Sequence, residues 1–149
     1  MGASSRGRGQ LMVDTGSAID IEHSRSVHTA PLAFEYMFGR ERIFVNCGAV
    51  SQYGQWFEAM RATAAHSTLS IDQRNAVPVG SDGHFSGLPQ VDSQFNQDSQ
   101  TCLFEGTHDG YMARYGIKHS RRLYLKNAGN SLIGEDKIKG GGSGVDYAV

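Results

Sequence analysis

The sequence has few cysteines, few prolines and no long apolar run. Its two cysteines, Cys47 and Cys102, define no disulfide framework, and each lies among strand-forming apolar residues, where we expect a small buried side chain. No apolar run approaches the roughly 20 residues of a membrane-spanning helix. The N-terminal residues also lack the apolar core of a signal peptide. We therefore expect neither a disulfide scaffold nor a membrane span.

Charge of one sign and the motifs of common catalytic sites are equally scarce. The formal net charge is −1, so no global field attracts nucleic acid or an anionic membrane. Neither Gly-x-Ser-x-Gly nor Cys-x-x-Cys occurs in the sequence. The glycine cluster at residues 140–144 lacks the preceding strand and the Lys-Ser/Thr pair of a phosphate loop. Nucleophile-elbow hydrolases, dithiol redox proteins and P-loop proteins are therefore not supported.

Glycine, by contrast, is abundant, with 19 residues against 3 prolines, which is typical of frequent tight turns between strands. Residues 39–40 (Gly-Arg) can turn the chain, and residues 42–47 can return antiparallel to the strand before them. That preceding strand, within residues 27–38, has alternating apolar residues on one face: Leu32, Phe34, Tyr36 and Phe38. The pattern predicts a β-hairpin.

The rest of the chain is typical of one β domain with loosely structured ends. We expect residues 1–9 to be a disordered lead, residues 10–139 to form the domain and residues 140–149 to be a flexible glycine-rich tail. Long loops and short edge strands are expected over residues 72–100. Further strands are predicted over residues 10–13, 68–71, 101–105, 118–125 and 131–138.

One helical stripe interrupts this β pattern. Trp56, Met60 and Thr63 recur at helical spacing and predict one or two helical turns near residues 55–65. The fold class is therefore predicted to be all-β, an antiparallel β-sandwich with a short helical segment.

Two histidines and one amide could form a metal site. His28, Asn46 and His66 are 18 and 20 residues apart, so they can converge only if the chain doubles back between them. Neutral imidazoles are good zinc ligands, and a third oxygen donor would leave one position for water. The alternative is a pair of histidines hydrogen-bonded within the sandwich, and widely spaced histidines alone favour that alternative.

Further polar and aromatic residues could act on a sugar substrate. Removal of the C5 proton of a uronic acid needs a base, and Tyr53 or the turn that carries His108 and Tyr111 could supply one. Arg121 and Arg122 could bind an acidic sugar through bidentate contacts, and Trp56 could stack on a sugar ring. The alternatives are a surface tyrosine, an ordinary tight turn and a solvated strand face.

Several of these segments together resemble the C-terminal domain of bacterial heparinase II/III-family proteins, over roughly residues 10–138. The fairly specific element is Ala-Ala-His-Ser-Thr-Leu in register with the upstream Asn-Cys-Gly. The segments that carry the resemblance are residues 28–35 (His-Thr-Ala-Pro-Leu-Ala-Phe-Glu), 43–48 (Ile-Phe-Val-Asn-Cys-Gly), 61–69 (Arg-Ala-Thr-Ala-Ala-His-Ser-Thr-Leu), 108–111 (His-Asp-Gly-Tyr), 122–125 (Arg-Leu-Tyr-Leu) and 134–136 (Gly-Glu-Asp).

The resemblance implies a β-sandwich that works beside an N-terminal α-helical toroid in a polysaccharide lyase. Such lyases cleave acidic, uronic-acid polysaccharides by β-elimination, and their sandwich carries a metal, usually zinc. The implied ligands are His28, Asn46 and His66, and the implied catalytic residue is Tyr53. Asn46 stands where the family has Asp, and Ser26 stands where some members have a catalytic His. We expect this chain to lack the toroid and to be inactive without it, in the periplasm or cytoplasm of a bacterium; the alternative is a non-catalytic carbohydrate-binding or interaction module.

Overall fold

The computed structural model describes residues 1–16, 20–48, 54–99, 101–126, 129–141 and 144–149. Within these residues the chain is mostly β, as predicted. The first four-stranded antiparallel sheet contains β1 (Gly2–Arg6), β2 (Gly9–Val13), β3 (Phe34–Phe38) and β4 (Glu41–Phe44), in that order. A separate two-stranded ladder joins β5 (Ser70–Ile71) to β10 (Tyr147–Ala148). The second four-stranded sheet has the order β6 (Val91–Gln97), β7 (Cys102–His108), β8 (Ile117–Lys126) and β9 (Ser131–Gly140).

The hydrophobic core lies where the two four-stranded sheets face each other. Apolar side chains from both sheets alternate inward along their strands, as the period of two requires. The buried members are Leu11, Val13, Leu32 and Tyr36 from the first half and Cys102, Phe104, Leu123 and Leu125 from the second. This packing confirms the antiparallel β-sandwich, and Phe34, Tyr36 and Phe38, predicted to share one face of their strand, all pack on the core.

The helical part is short and differs from the predicted stripe. Helix α1 (Gln55–Arg61) and a 3-10 helix (Thr63–Ala65) occupy the predicted segment, and a second 3-10 helix (Ile21–Ser26) and α2 (Met112–Tyr115) follow loops. Trp56, however, is 73% exposed, whereas Arg61 and Thr63 are buried. The inward face of α1 instead carries Phe57 and Arg61, four residues apart, and the extended backbone of Ala62 ends the helix before Thr63. Neither α-helix in the described parts of the chain has the length and apolar character to cross a membrane.

The two ends of the chain and the first strand of the predicted hairpin differ from the sequence-based expectation. Residues 2–6, expected to be disordered, pair with β2, and Tyr147 in the expected tail pairs with Ile71. The strand expected within residues 27–38 begins only at Phe34, because Pro31 has no N–H to donate and Leu32 has a left-handed backbone (φ 60°). Cys47 is exposed, since β4 ends before it, while Cys102 is buried as expected.

Candidate functional site

The structure brings His28 and His66 together at the end of α1. Their ring centroids are 4.5 Å apart, with the ring planes inclined by 33°. The segment that carries His28 is fixed to the end of the helix, because the Thr29 N–H and hydroxyl both donate to the Arg61 carbonyl, at 2.9 and 3.0 Å. The 3-10 helix then leads directly into His66. Chain reversal therefore places the two imidazoles in contact, as the sequence permitted.

Both imidazoles favour the neutral form. Partial burial lowers the pKa of His28, and the nearby Arg61 charge acts in the same direction, against the effect of Asp14. Burial also lowers the pKa of His66, with a smaller effect from His28. The Nε2–H of His66 donates to the Met60 carbonyl (3.0 Å), which leaves Nδ1 as a lone-pair acceptor. The pair thus offers a base with an oriented ring.

Asn46 is hydrogen-bonded to the segment next to His66. Its Nδ2 donates to the Phe34 carbonyl (3.2 Å), and its Oδ1 accepts from the Ser67 N–H (2.9 Å). The Ser67 hydroxyl lies 3.0 Å from the same oxygen and also bonds the Phe34 backbone. Since a carbonyl only accepts and an N–H only donates, these partners determine which end of the amide is oxygen. Asn46 therefore connects β3 to the segment that carries His66.

The described residues do not fit the zinc site that the resemblance implies. A zinc centre needs three or four protein ligands, and His28 and His66 supply two. The amide oxygen of Asn46 already accepts from the Ser67 N–H (2.9 Å), and the Ser67 hydroxyl lies 3.0 Å from it. Across the described ranges, three His, Cys, Asp or Glu side chains nowhere come together in a group able to hold a metal ion.

Two cavities lie beside the histidine pair. His28 lines one of about 280 Å³, together with Asp14 and a mainly apolar wall that includes Val77, Phe85 and Leu88. His66 lines another of about 380 Å³ at the open edge between the two sheets, next to Arg121 and Asp136. Asp14 and Arg61, which flank the pair, were not singled out from the sequence. Their only signals were a turn (Asp-Thr-Gly) and a place at the end of the amphipathic helix.

The other predicted site residues are dispersed. Tyr53 lies outside the described residues. Trp56 is exposed on α1, whereas His108 and Tyr111 are about 1% exposed. The Tyr111 hydroxyl reaches the Leu69 and Arg74 carbonyls (2.9 and 3.2 Å), and burial raises its pKa. The side chains of His108 and Tyr111 are therefore buried within the domain and contact protein groups.

Arg121 and Arg122 face opposite sides of β8. Arg121 is 2% exposed and binds both carboxylate oxygens of Asp136, through Nε (2.8 Å) and Nη2 (3.0 Å), while its Nη1 donates to the Leu32 and Ser67 carbonyls. Arg122 lies on the outer face and pairs with Glu105 (2.7 Å). Alternation along a strand separates neighbouring side chains, so the structure does not bring the two guanidinium groups to one sugar.

A buried polar chain connects Arg121 to His108. Gly110 N–H donates to His108 Nδ1 (3.2 Å), so the proton of His108 is on Nε2 and is donated to His119 Nδ1 (3.0 Å). His119 Nε2 then donates to Asp136 (2.7 Å). Partial burial alone would raise the pKa of Asp136, but the hydrogen bonds from His119 and Arg121 outweigh it and lower the pKa to about 2. The chain is satisfied at every member.

This fold and this arrangement of residues belong to a known family. The model of the heparinase II/III-like C-terminal domain matches residues 2–148, so the chain is a member of that family. Among curated proteins it is similar to FtsZ-localized protein C of Caulobacter vibrioides (strain NA1000 / CB15N), with 28% identity over 116 residues, 72% of this chain and 20% of that protein. Among solved structures it is similar to a heparinase III gene product, with a TM-score of 0.68 and 17% identity over 92% of this chain and 20% of that one. The chain thus spans about a fifth of each relative, and the second likeness shows the fold alone.

Proposed function

We propose that this chain is the β-sandwich part of a heparinase II/III-like polysaccharide lyase, which cleaves a uronic-acid polysaccharide by β-elimination. The observation that carries the proposal is the contact between His28 and His66, 4.5 Å apart. β-Elimination begins when a base removes the C5 proton of the uronic acid. A neutral imidazole with a free lone pair suits that step, and His66 offers Nδ1 because its Nε2–H is held by Met60.

The roles of the other residues follow their exposure. Tyr53 is the proposed acid/base on the ground of the family resemblance, and exposed Trp56 and Arg122 are the proposed sugar contacts. The buried His108, Tyr111 and Arg121 are left out, because they reach only protein groups. His28 and His66 line separate cavities, so we infer that a second domain, an α-helical toroid, completes the substrate cleft and that the sandwich alone does not turn over substrate.

The test is ultraviolet absorbance of the unsaturated product, with several uronic-acid polysaccharides and the polypeptide that joins this domain to a toroid. We expect product from at least one polysaccharide, and loss of at least 100-fold in rate for His66→Ala, the range that general-base catalysis contributes. Tyr53→Phe should also abolish turnover. Asn96→Asp, an exposed change on β6, is the matched control. Absence of product from every polysaccharide would contradict the proposal.

The second candidate is a non-catalytic interaction module. Its support is the edge strand β4, whose neighbouring apolar residues Ile43, Phe44 and Val45 are 54%, 47% and 56% exposed. Unpaired edges with exposed apolar side chains are typical of protein contacts. One relative is named for its localisation with FtsZ, which is consistent with a role in assembly. In this case Tyr53→Phe should leave binding unchanged, whereas Ile43→Lys should weaken it.

A further inference from the structure

Asn46 occupies the position at which the family resemblance places a carboxylate ligand. Both ends of its amide are used: Nδ2 donates to the Phe34 carbonyl, and Oδ1 accepts from the Ser67 N–H, with the Ser67 hydroxyl 3.0 Å away. The adjacent Cys47 N–H donates to the Ala65 carbonyl (3.4 Å), so the chain after β4 is joined to the His66 segment at two successive residues. These contacts hold the chain after β4 against the segment that carries His66, which is what coordination of both to a metal ion would otherwise do.

An aspartate would not make the same contacts. It could accept from Ser67 but could not donate to the Phe34 carbonyl, so two oxygens would face each other at about 3 Å. The Glu35 carboxylate, which accepts from the Asn46 backbone N–H at 3.3 Å, would add a second negative charge nearby. A cation would relieve both repulsions. The amide needs no cation.

We propose that hydrogen bonds of the Asn46 amide replace metal coordination in this chain, so that His28 and His66 are held in contact without zinc. The inference rests on the proposed function only in treating this pair as the functional centre. Asn46 is then the residue that determines whether the site binds a metal, and the site is metal-free because of its own hydrogen bonds.

The experiment measures the zinc content of the untagged chain as purified in the presence of zinc, and its melting temperature after dialysis against a chelator. The wild-type chain should contain no stoichiometric zinc, and added zinc should not raise its melting temperature. Asn46→Asp should melt lower than wild type without metal. Zinc at about 100 times its dissociation constant should then raise the melting temperature of this variant by about 5–10 °C.

Two control variants test whether the zinc response comes from position 46 and from the histidine pair. Asn96→Asp makes the same chemical change at an exposed position on β6 and should give no zinc response. Adding His66→Ala to Asn46→Asp should abolish the response, because it removes an imidazole ligand.

Either of two results would overturn the inference. One is an equivalent of zinc in the wild-type chain that disappears in His66→Ala. The other is a folded Asn46→Asp variant that does not respond to zinc. If Asn46→Asp does not fold, the wild-type measurement alone still decides. Neither readout depends on polysaccharide cleavage, so failure of the lyase proposal would leave this result interpretable.

Discussion

At the scale of single residues, adjacent side chains on β8 have opposite roles. Arg121 is buried and satisfies Asp136 and two carbonyls, whereas 41% of the Arg122 side chain is exposed. The sequence shows two consecutive arginines and suggests one basic surface. The strand period separates them, and it is the inward position of Leu123 that would have indicated the burial of Arg121. Arg121 therefore connects buried groups inside the domain, whereas Arg122 forms an ion pair with Glu105 at the surface.

Removal of the Arg121 guanidinium should destabilise the domain strongly. In Arg121→Ala, Asp136 keeps a partly buried charge without its main partner, and the Leu32 and Ser67 carbonyls lose their donor. Loss of one partner of a buried ion pair costs about 3–5 kcal/mol. Urea unfolding of the two single variants measures the difference. Arg122→Ala is the matched control and should unfold close to wild type; equal destabilisation of both variants would contradict the assignment.

At the scale of elements, the two halves of the sandwich make close backbone contact at two glycines. A Cβ placed on Gly9 in β2 would lie 2.2 Å from the Gly129 carbonyl oxygen, at the turn before β9. The Tyr36 hydroxyl donates to the same oxygen (2.5 Å). Only glycine at position 9 allows this approach of strand and turn, so the contact sets how the first sheet packs on the second.

Gly9→Ala should therefore lower the free energy of unfolding by about 1–3 kcal/mol, the usual cost of overpacking, since backbone cannot move aside as a side chain can. Gly134→Ala in β9 is the matched control. A Cβ at Gly134 would meet only a Leu123 methyl at 3.4 Å, so its stability should stay the same or rise slightly. The comparison is made by thermal or urea unfolding, and a Gly9→Ala protein as stable as the control would mean that the sheets can shift apart freely.

The strands that could be predicted from the sequence are those whose own residues alternate between apolar and polar. The second sheet was predictable from β7 to β9 because alternation is strong and the connections are short, and the β3–β4 hairpin was predictable for the same reason. β1 consists of small and polar residues, and β10 pairs across more than 70 residues with Ile71. Neither has a local apolar pattern, so their pairing depends on tertiary contacts that a sequence window does not contain.

The candidate site was predictable only in part, for a related reason. Contact between His28 and His66 required a reversal that the sequence allowed. The buried positions of His108 and Tyr111 depend on partners far along the chain, His119 and Leu69, which no motif connects. Polar residues in a turn look the same in sequence whether they face solvent or satisfy one another inside a domain.

At the scale of the whole molecule, the buried chain from His108 to Asp136 makes stability depend on pH. His108 Nδ1 already accepts from Gly110, so an added proton has no acceptor and would lie near His119 and Arg121. Burial is the main cause that lowers the pKa of His108 from about 6.5 to about 3, and the nearby Arg121 charge acts in the same direction. The unfolded chain therefore takes up a proton below about pH 6.5, which the folded chain does not take up until about pH 3.

The free energy of unfolding should consequently fall as pH falls from 6.5 toward 4, with His108 contributing up to about 1.4 kcal/mol per pH unit. His28 and His66 have lowered pKa values and add a slope of the same sign, so the informative quantity is the difference between wild type and His108→Asn. Asp136 contributes only below about pH 4, since its pKa falls from 3.8 to about 2 and its stabilising effect is lost as pH passes through that range. Urea unfolding between pH 4.5 and 7 should give a shallower slope for His108→Asn, whatever its absolute stability. Parallel slopes would show that His108 takes up its proton without unfolding, and that the polar chain across β7, β8 and β9 tolerates a charge in the folded domain.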